Sequence, residues 1–154
     1  MYIKLEDVLD ALEREVSARW PACTIYRNVM PKNFARPSFY VELVEFTMKP
    51  EAGTPASVSR NGKFRIVAFE TVDEYHNSQV SDLDTKLDKL AGIFAQGWLA
   101  VCDRAPHAAI EKGQILSTDA AELTISLSWL EDLADYAEAA PEPAPIEHVR
   151  IEQN

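Results

Sequence analysis

The stretch RPSFYVELVEF, residues 36–46, decides how this chain is interpreted. After Pro37 it reads as a β-strand, in which every second residue faces the same side. The inward side is apolar: Phe39, Val41 and Leu43. The opposite side should be polar, but it carries three aromatic or apolar residues beside one acid: Tyr40, Glu42, Val44 and Phe46. A second layer of the same chain or another subunit should therefore cover that side.

Length and charge limit the classes of protein to consider. A chain of 154 residues has the size of one domain with a core of its own. Asp and Glu number 25 against 15 Lys and Arg, which gives a formal net charge of −10. This surplus disfavours nucleic acid and anionic membrane as partners, because phosphate groups attract clustered cations. We expect no specific nucleic-acid binding and no membrane association.

Cysteine usage and the terminus favour a cytoplasmic protein. Cys23 and Cys102 are far apart in the sequence and form no CxxC motif, so we expect two buried, reduced thiols. No apolar run approaches the length of a membrane span, and the chain enters a charged helix without a signal peptide.

The first half of the chain predicts one helix followed by three strands. Residues 4–20 place apolar side chains at three- and four-residue spacing, which is typical of an amphipathic helix. Pro21 ends that helix. Strands are predicted at residues 23–29, 38–48 and 57–70.

The third of these strands has two interpretations. Asn61-Gly62 is a strong signal for a two-residue hairpin, which would fold residues 57–60 onto 63–66. Alternatively, residues 49–55 form the hairpin tip and Gly62 marks a bulge in one long returning strand. We favour the long strand, because it pairs residues 63–70 fully with the strand at 38–46.

The second half predicts another helix and two more strands. A helix begins at Ser81, and its buried stripe should run from Leu83 to Trp98, with Gly97 near its end. Strands follow at 113–118 and 122–130. The last one alternates cleanly, with four inward apolar residues: Leu123, Ile125, Leu127 and Trp129. We expect a single domain over 1–136, then a Pro/Ala-rich extended linker and a short C-terminal segment over 137–154.

This order of elements predicts an α+β fold, with an antiparallel or mixed sheet of four to five strands and two helices on one face. The other face then lacks a covering layer. Eight residues on or beside it are candidates for a subunit interface: Tyr40, Glu42, Val44, Phe46, Arg60, Arg65, Val67 and Phe69. Glu42 would meet Arg60, Lys63 or Arg65 of a neighbouring subunit. The alternative is that the 71–80 loop or the C-terminal segment covers the aromatic residues.

No motif predicts catalysis, a cofactor or a metal. The chain contains no GxSxG, no phosphate-binding GxxxxGK[ST] and no GxGxxG motif. Asp73, Glu74 and His76 are the one local group of possible metal ligands, and their spacing matches no established metal motif. His107 and His148 lie elsewhere in the sequence. We predict no catalytic, cofactor-binding or metal-binding residue.

Several segments together resemble a family of small phage tail proteins, the tail terminators or minor tail proteins of tailed phages and prophages. They are YRNVMPKNFARPSFYVELVE (26–45), RNGKFRIVAFE (60–70), VSDLDTKLDKL (80–90), ISLSWL (125–130) and IEHVRIEQN (146–154). The likeness lies in the order of elements and in Pro37-Ser38-Phe39 leading into a strand. The chain departs from the family pattern at Ala68, where an aromatic residue is common, and in its long linker.

The resemblance implies a structural role in the virion tail. Tail terminators form a ring, usually of six subunits, that closes the finished tail tube and presents a surface to the head connector. The implied partners are the chain itself, the tube protein and the connector proteins, with assembly in the host cytoplasm and DNA passing through the lumen. A ring of the head–tail connector type and a monomeric, non-catalytic adaptor are the alternatives.

Overall fold

The fold comes from a computed structural model, and the structure describes residues 1–53, 56–71 and 80–139. Its elements are α1 (Leu5–Arg19), β1 (Thr24–Arg27), β2 (Ser38–Pro50), β3 (Ser57–Phe69), α2 (Val80–Ile93), β4 (His107–Ser117), β5 (Ala120–Asp132) and α3 (Leu133–Ala139). The five strands form one sheet in the order β1-β2-β3-β5-β4. β1 runs parallel to β2, and the other pairs are antiparallel. The predicted α+β class with a mixed sheet is confirmed.

The core lies between the sheet and the helices α1 and α2. On α1, Val8, Leu12 and Val16 are fully buried, so the predicted amphipathic stripe is confirmed. They pack against the sheet residues Phe39 and Ile66 within one apolar cluster. We call this side of the sheet the helix face, and the opposite side the far face.

The end of α2 differs from its prediction. Leu83, Leu90 and Phe94 are buried as expected, but the helix ends at Ile93. Gly97 then adopts a positive φ of 84°, which turns the chain. Trp98 therefore leaves the stripe, pairs with His107 in an isolated bridge and is 43% exposed.

β2 and β3 form one long hairpin whose tip lies between Pro50 and Ser57. The long-strand interpretation is confirmed, and the short hairpin at Asn61-Gly62 is wrong. The predicted bulge at Gly62 is also wrong: Gly62 pairs regularly with Phe46 and Leu127. The irregularity lies on the partner strand instead, between Leu43 and Glu45.

The bulge at Val44 reverses the alternation of β2 from that point onward. Phe46 pairs with Gly62, two residues from the core residue Phe64, so it lies on the helix face. Arg60 is on that face too and is buried. The expectation that Phe46 lies on the uncovered face is therefore wrong, because an extra residue in β2 shifts the parity. Arg60, a candidate on or beside that face, lies on the helix face because β3 alternates regularly and sets it opposite to Arg65.

The end of the described chain contains a third helix that the sequence analysis did not predict. α3 follows β5 without an intervening residue and reaches Ala139. Residues 137–139 are therefore helical rather than part of an extended linker. The rest of the predicted linker and the C-terminal segment, residues 140–154, lie outside the described residues, and the domain boundary at 136 stays a prediction.

The two cysteines are free, but they are not both buried as expected. Cys23 is partly exposed and packs against the edge of the core. Cys102 is exposed and has a positive φ of 53°. It lies in a turn that the Val101–Arg104 bridge closes, which keeps its side chain at the surface.

Candidate interaction surfaces

The far face carries a lattice of ion pairs across four strands. Arg65 contacts the carboxylate of Glu42 on β2 and lies 3.4 Å from that of Glu122 on β5. Glu122 also accepts a hydrogen bond of 2.7 Å from Gln114 and lies 3.7 Å from the Lys112 ammonium on β4. Glu42 therefore has its partner within its own chain, which removes the need for a cation from a neighbouring subunit.

A second group of charges centres on Lys63. Its ammonium lies 3.3 Å from Glu45 and 3.2 Å from Glu111. Bulges at Val44 on β2 and at Glu111 on β4 bring the carboxylates toward Lys63 from both sides. Hydrogen bonds to Glu111 and then Glu45 raise the pKa of the Lys63 side chain above its ordinary value.

Val44 is the member of the predicted interface that the structure leaves most exposed. Its bulged position makes it 48% exposed, while the charged side chains around it are paired. It borders a shallow hollow of about 370 Å³ with Lys63, Arg65 and Lys112. Around Val44 the far face is thus a charge-paired surface rather than a broad apolar patch.

The other end of the far face is covered by the connection between β1 and β2, residues 28–37. The Phe34 ring lies 4.7 Å from that of Phe69, and the Tyr40 hydroxyl lies 3.0 Å from the Asn28 carbonyl oxygen. Val67, also on this face, is buried. An internal layer does exist for Phe69, and residues 28–37 supply part of it. The two segments named as alternatives, the 71–80 loop and the C-terminal segment, lie almost entirely outside the described residues.

Arg36 fixes that connection to the end of the sheet, where β3 stops and β4 turns into β5. Its guanidinium lies 4.6 Å from the centre of the Phe34 ring and donates to Asp119 Oδ2 at 2.7 Å and to the Glu70 carbonyl at 3.0 Å. A hydrogen bond from Ser117 and the Arg36 charge hold the pKa of the Asp119 carboxyl below its ordinary value, against the opposing effect of burial.

The edge of the sheet along β4 is a surface that the sequence analysis missed. Ile110, Ile115 and Leu116 are each more than a third exposed there. Two bulges interrupt this strand, and irregular edges of this kind limit uncontrolled strand pairing. The signal for this surface is the apolar pair Ile115-Leu116 in GQILST, which in the sequence is indistinguishable from part of an ordinary strand.

A socket on the helix face surrounds Arg60. The guanidinium carbon lies 4.7 Å from the ring centre of Phe46 and 5.2 Å from that of Trp129, and Nη1 donates to the Ile3 carbonyl at 2.5 Å. Three donors meet the buried Oε1 atom of Glu131: Ile3 N at 2.7 Å, Trp129 Nε1 at 2.9 Å and Arg104 Nη2 at 2.5 Å.

Tyr136 of α3 fills this socket. Its ring stacks on Tyr2 at 4.7 Å with an interplanar angle of 18°, and its centre lies 5.9 Å from the Arg60 guanidinium. Burial raises the pKa of the Tyr136 hydroxyl, an effect that the Arg60 charge opposes. Sequence reasoning missed this site because its members lie far apart in the sequence, from Tyr2 through Arg60 to Tyr136.

Four of the possible metal ligands named from the sequence lie outside the described residues: Asp73, Glu74, His76 and His148. His107 begins β4 and is exposed. In the described ranges, no cluster of three or more His, Cys, Asp or Glu side chains could hold a metal ion. None of the described helices is both long and apolar enough to cross a membrane.

Comparison with known proteins gives one family. The family model described as phage tail terminator protein matches residues 7–117, a region that contains most of α1 and all of α2 and β1 to β4. A search of curated proteins found no match. The family is one of structural proteins of the phage tail, which agrees with the resemblance noted in the sequence. Because the matched region spans well over half of the chain, this protein belongs to the phage tail terminator protein family.

Proposed function

We propose that this protein is a tail-completion subunit that forms a ring, of about six copies, on the end of the tail tube and joins it to the head connector. The match of residues 7–117 to the tail terminator family carries this proposal. In this role the chain binds itself, the tube protein and connector proteins, and catalyses no reaction. It assembles in the host cytoplasm and becomes part of the virion tail.

The surfaces of the subunit support a ring. A closed ring of identical chains needs two different surfaces on each chain, because each subunit contacts its two neighbours differently. The sheet presents the exposed Val44 on its far face, with Tyr40, Glu42 and Arg65 around it. The β4 edge is a separate surface, and its exposed apolar residues Ile110 and Leu116 could be buried against a second neighbour.

We infer that the region around Val44 on the far face is one subunit interface. Val44→Lys places a charge in that contact and should raise the concentration needed for assembly by about tenfold, as for an interface residue worth ~1.4 kcal/mol. Val29→Lys is the matched control, since Val29 is 76% exposed and lies after β1. Light scattering across a concentration series measures both. Equal assembly of the two variants would exclude Val44 from the interface.

A genetic experiment tests the role in the tail. Particles made without this protein should contain tail tubes that do not join heads, and a plasmid copy of the gene should restore joined, infectious particles. Electron microscopy of the lysate distinguishes the two states. Normal infectious particles in the absence of the protein would refute the proposed function.

The same preparations separate the alternatives. Antibody labelling at the tube end supports a terminator, whereas labelling on tailless heads supports a connector. A protein that keeps the mass of one chain in solution, and that binds only one partner in the lysate, would be an adaptor instead of a ring subunit.

A further inference from the structure

α3 contacts the rest of the domain through the Tyr136 ring, through its first backbone amide, and through an ion pair of 3.2 Å between Asp135 and the N-terminal amine. The helix has seven residues, and a helix this short is not stable in water without tertiary contacts. Tyr136 provides such a contact by stacking on Tyr2 above Arg60. At the start of the helix, Leu133 N donates to the Ala56 carbonyl at 2.7 Å. Tyr136 therefore works as a plug, and the socket around Arg60 as its receptor.

The junction between β5 and α3 is short enough to act as a hinge for exchange of α3 between two copies of the chain. β5 ends at Asp132 and α3 begins at Leu133, so the change of direction falls on a single junction without a loop. Short, constrained hinges favour exchange of an element between copies of a chain, since straightening the hinge relieves the constraint.

The seated helix leaves apolar surface at this junction. Leu130 is 54% exposed and Leu133 is 50% exposed. A hollow of about 430 Å³ beside them is lined by Ala56, Asp132, Leu133 and Ala134. An open arrangement that brings a second copy against this end of the sheet would cover both leucines, which the closed subunit cannot do.

The seat itself is not fully satisfied in the closed subunit. Arg60 Nε and Glu131 Oε2 are buried, and neither has a hydrogen-bond partner within the described part of the chain. A buried polar atom without a hydrogen-bond partner lowers the stability of the folded chain. Exchange preserves every contact between plug and socket, because the same Tyr136 enters the same socket, and it adds the new contact at the hinge.

We propose that α3 exchanges between neighbouring copies in the assembled state, so that Tyr136 of one subunit fills the Arg60 socket of the next. This inference rests on the proposed ring. It names the second copy of this chain as the occupant of the socket, and it makes each socket depend on a residue from its neighbour. A heterologous exchange of this type links each subunit to the next around a closed ring.

Photo-cross-linking at residue 136 tests the exchange directly. Tyr136 is replaced by benzoylphenylalanine, which keeps an aromatic plug and links to whatever lies beside it under ultraviolet light. In assembled material we expect products of two chains, about twice 17.3 kDa, linked to the segment around Tyr2 or Trp129. The same substitution at Trp20, whose partly buried ring packs on Phe39 at the margin of the core, is the control and should give links within one chain only.

Failure of the exchange can be told apart from failure of the proposed ring, because the solution mass of the same sample shows whether a ring has formed. An assembled ring whose links at residue 136 all fall within one chain, or reach a different protein, overturns the exchange and leaves the ring intact. A sample that keeps the mass of one chain under all conditions counts against both proposals.

Two substitutions at Tyr136 give an independent measure. Tyr136→Ala removes the plug and should raise the concentration needed for assembly by tenfold or more, as expected for an aromatic residue central to an interface. Tyr136→Phe keeps the ring and should assemble as the unmodified chain does. Circular dichroism checks that both variants fold. Normal assembly of a folded Tyr136→Ala protein contradicts the exchange.

Discussion

Arg60 and Arg65 lie on the same strand, five residues apart, and therefore point to opposite faces of the sheet. Arg60 is buried among aromatic rings and holds the Ile3 carbonyl, whereas Arg65 is 38% exposed in ion pairs. Arg60→Ala should lower the free energy of unfolding by about 2–4 kcal/mol, because it leaves a cavity and an unpaired carbonyl. Urea unfolding followed by circular dichroism measures the change.

Arg65→Ala is the matched control for this comparison. The pairs of Arg65 are partly open to solvent, and pairs of this kind contribute about 0–1 kcal/mol. A larger loss of stability for Arg65→Ala than for Arg60→Ala would contradict the assignment of the two residues to their faces.

Asp119 makes stability depend on pH at the acidic end. Its pKa is depressed from 3.8 in the folded chain, so the carboxylate contributes stability above its unfolded pKa, and that contribution is lost as the pH falls through the folded value. Asp119→Asn should cost about 1 kcal/mol at pH 7, and the difference from the unmodified chain should shrink toward pH 3. Unfolding midpoints at both pH values measure this. A difference independent of pH would show that the ion pair with Arg36 is not its cause.

Among the elements, β2 shows both what the sequence predicts and where prediction fails. Alternation correctly assigned Phe39 and Val41 to the core, and it also placed Val44 outside. It misplaced Phe46, because one extra residue at Val44 reverses the parity and no composition signal marks such a bulge. Asn61-Gly62 suggested a turn, but pairing on both sides with β2 and β5 outweighs that local preference.

Gly62 has a packing role rather than a turn role. A Cβ atom there would lie 2.6 Å from Cε2 of Phe64, in the centre of the sheet. Gly62→Ala should therefore lower the free energy of unfolding by about 1–3 kcal/mol, as overpacking does in a tight core. Thermal unfolding of the purified variant is the measurement.

Gly92 offers the opposite case within α2. A Cβ atom at Gly92 meets nothing within 4 Å, so Gly92→Ala should stabilise the protein by about 0.5–1 kcal/mol through helix propensity. If Gly62→Ala were as stable as Gly92→Ala, the close contact between Gly62 and the Phe64 ring would be wrong.

α3 and its socket could not be predicted from neighbouring residues. The helix depends on Tyr2, which is 134 positions away from Tyr136 in the sequence, and the stacking of the two rings is visible only in the fold. The interface prediction stays a prediction. It rests on apolar residues of two adjacent strands, and alternation along those strands does not show the charges that four strands bring together on the far face.

At the scale of the whole molecule, the far face differs from the subunit as a whole in that its cations are paired with carboxylates, whereas the chain carries a net negative charge. The lattice on the far face pairs its three cations, Lys63, Arg65 and Lys112, with carboxylates of the same chain. The net charge of −10 therefore is not concentrated in an unpaired patch on that face. An interface there gains little from new ion pairs between subunits, so its stability should come from apolar contacts such as Val44.

Salt dependence tests this view of the assembly. Six copies would carry a formal charge of about −60, and like charges in a compact ring repel one another. Salt shortens the screening length from about 30 Å at 0.01 M to about 8 Å at 0.15 M. Raising the salt should therefore lower the concentration needed for assembly, which sedimentation velocity measures at each ionic strength. Val29→Lys removes one unit of net negative charge at a position away from Val44, so it should lower the concentration needed for assembly, as added salt does. Assembly that weakens with salt would instead place ion pairs between subunits at the interface, and the charges of the far face would then have partners in two chains.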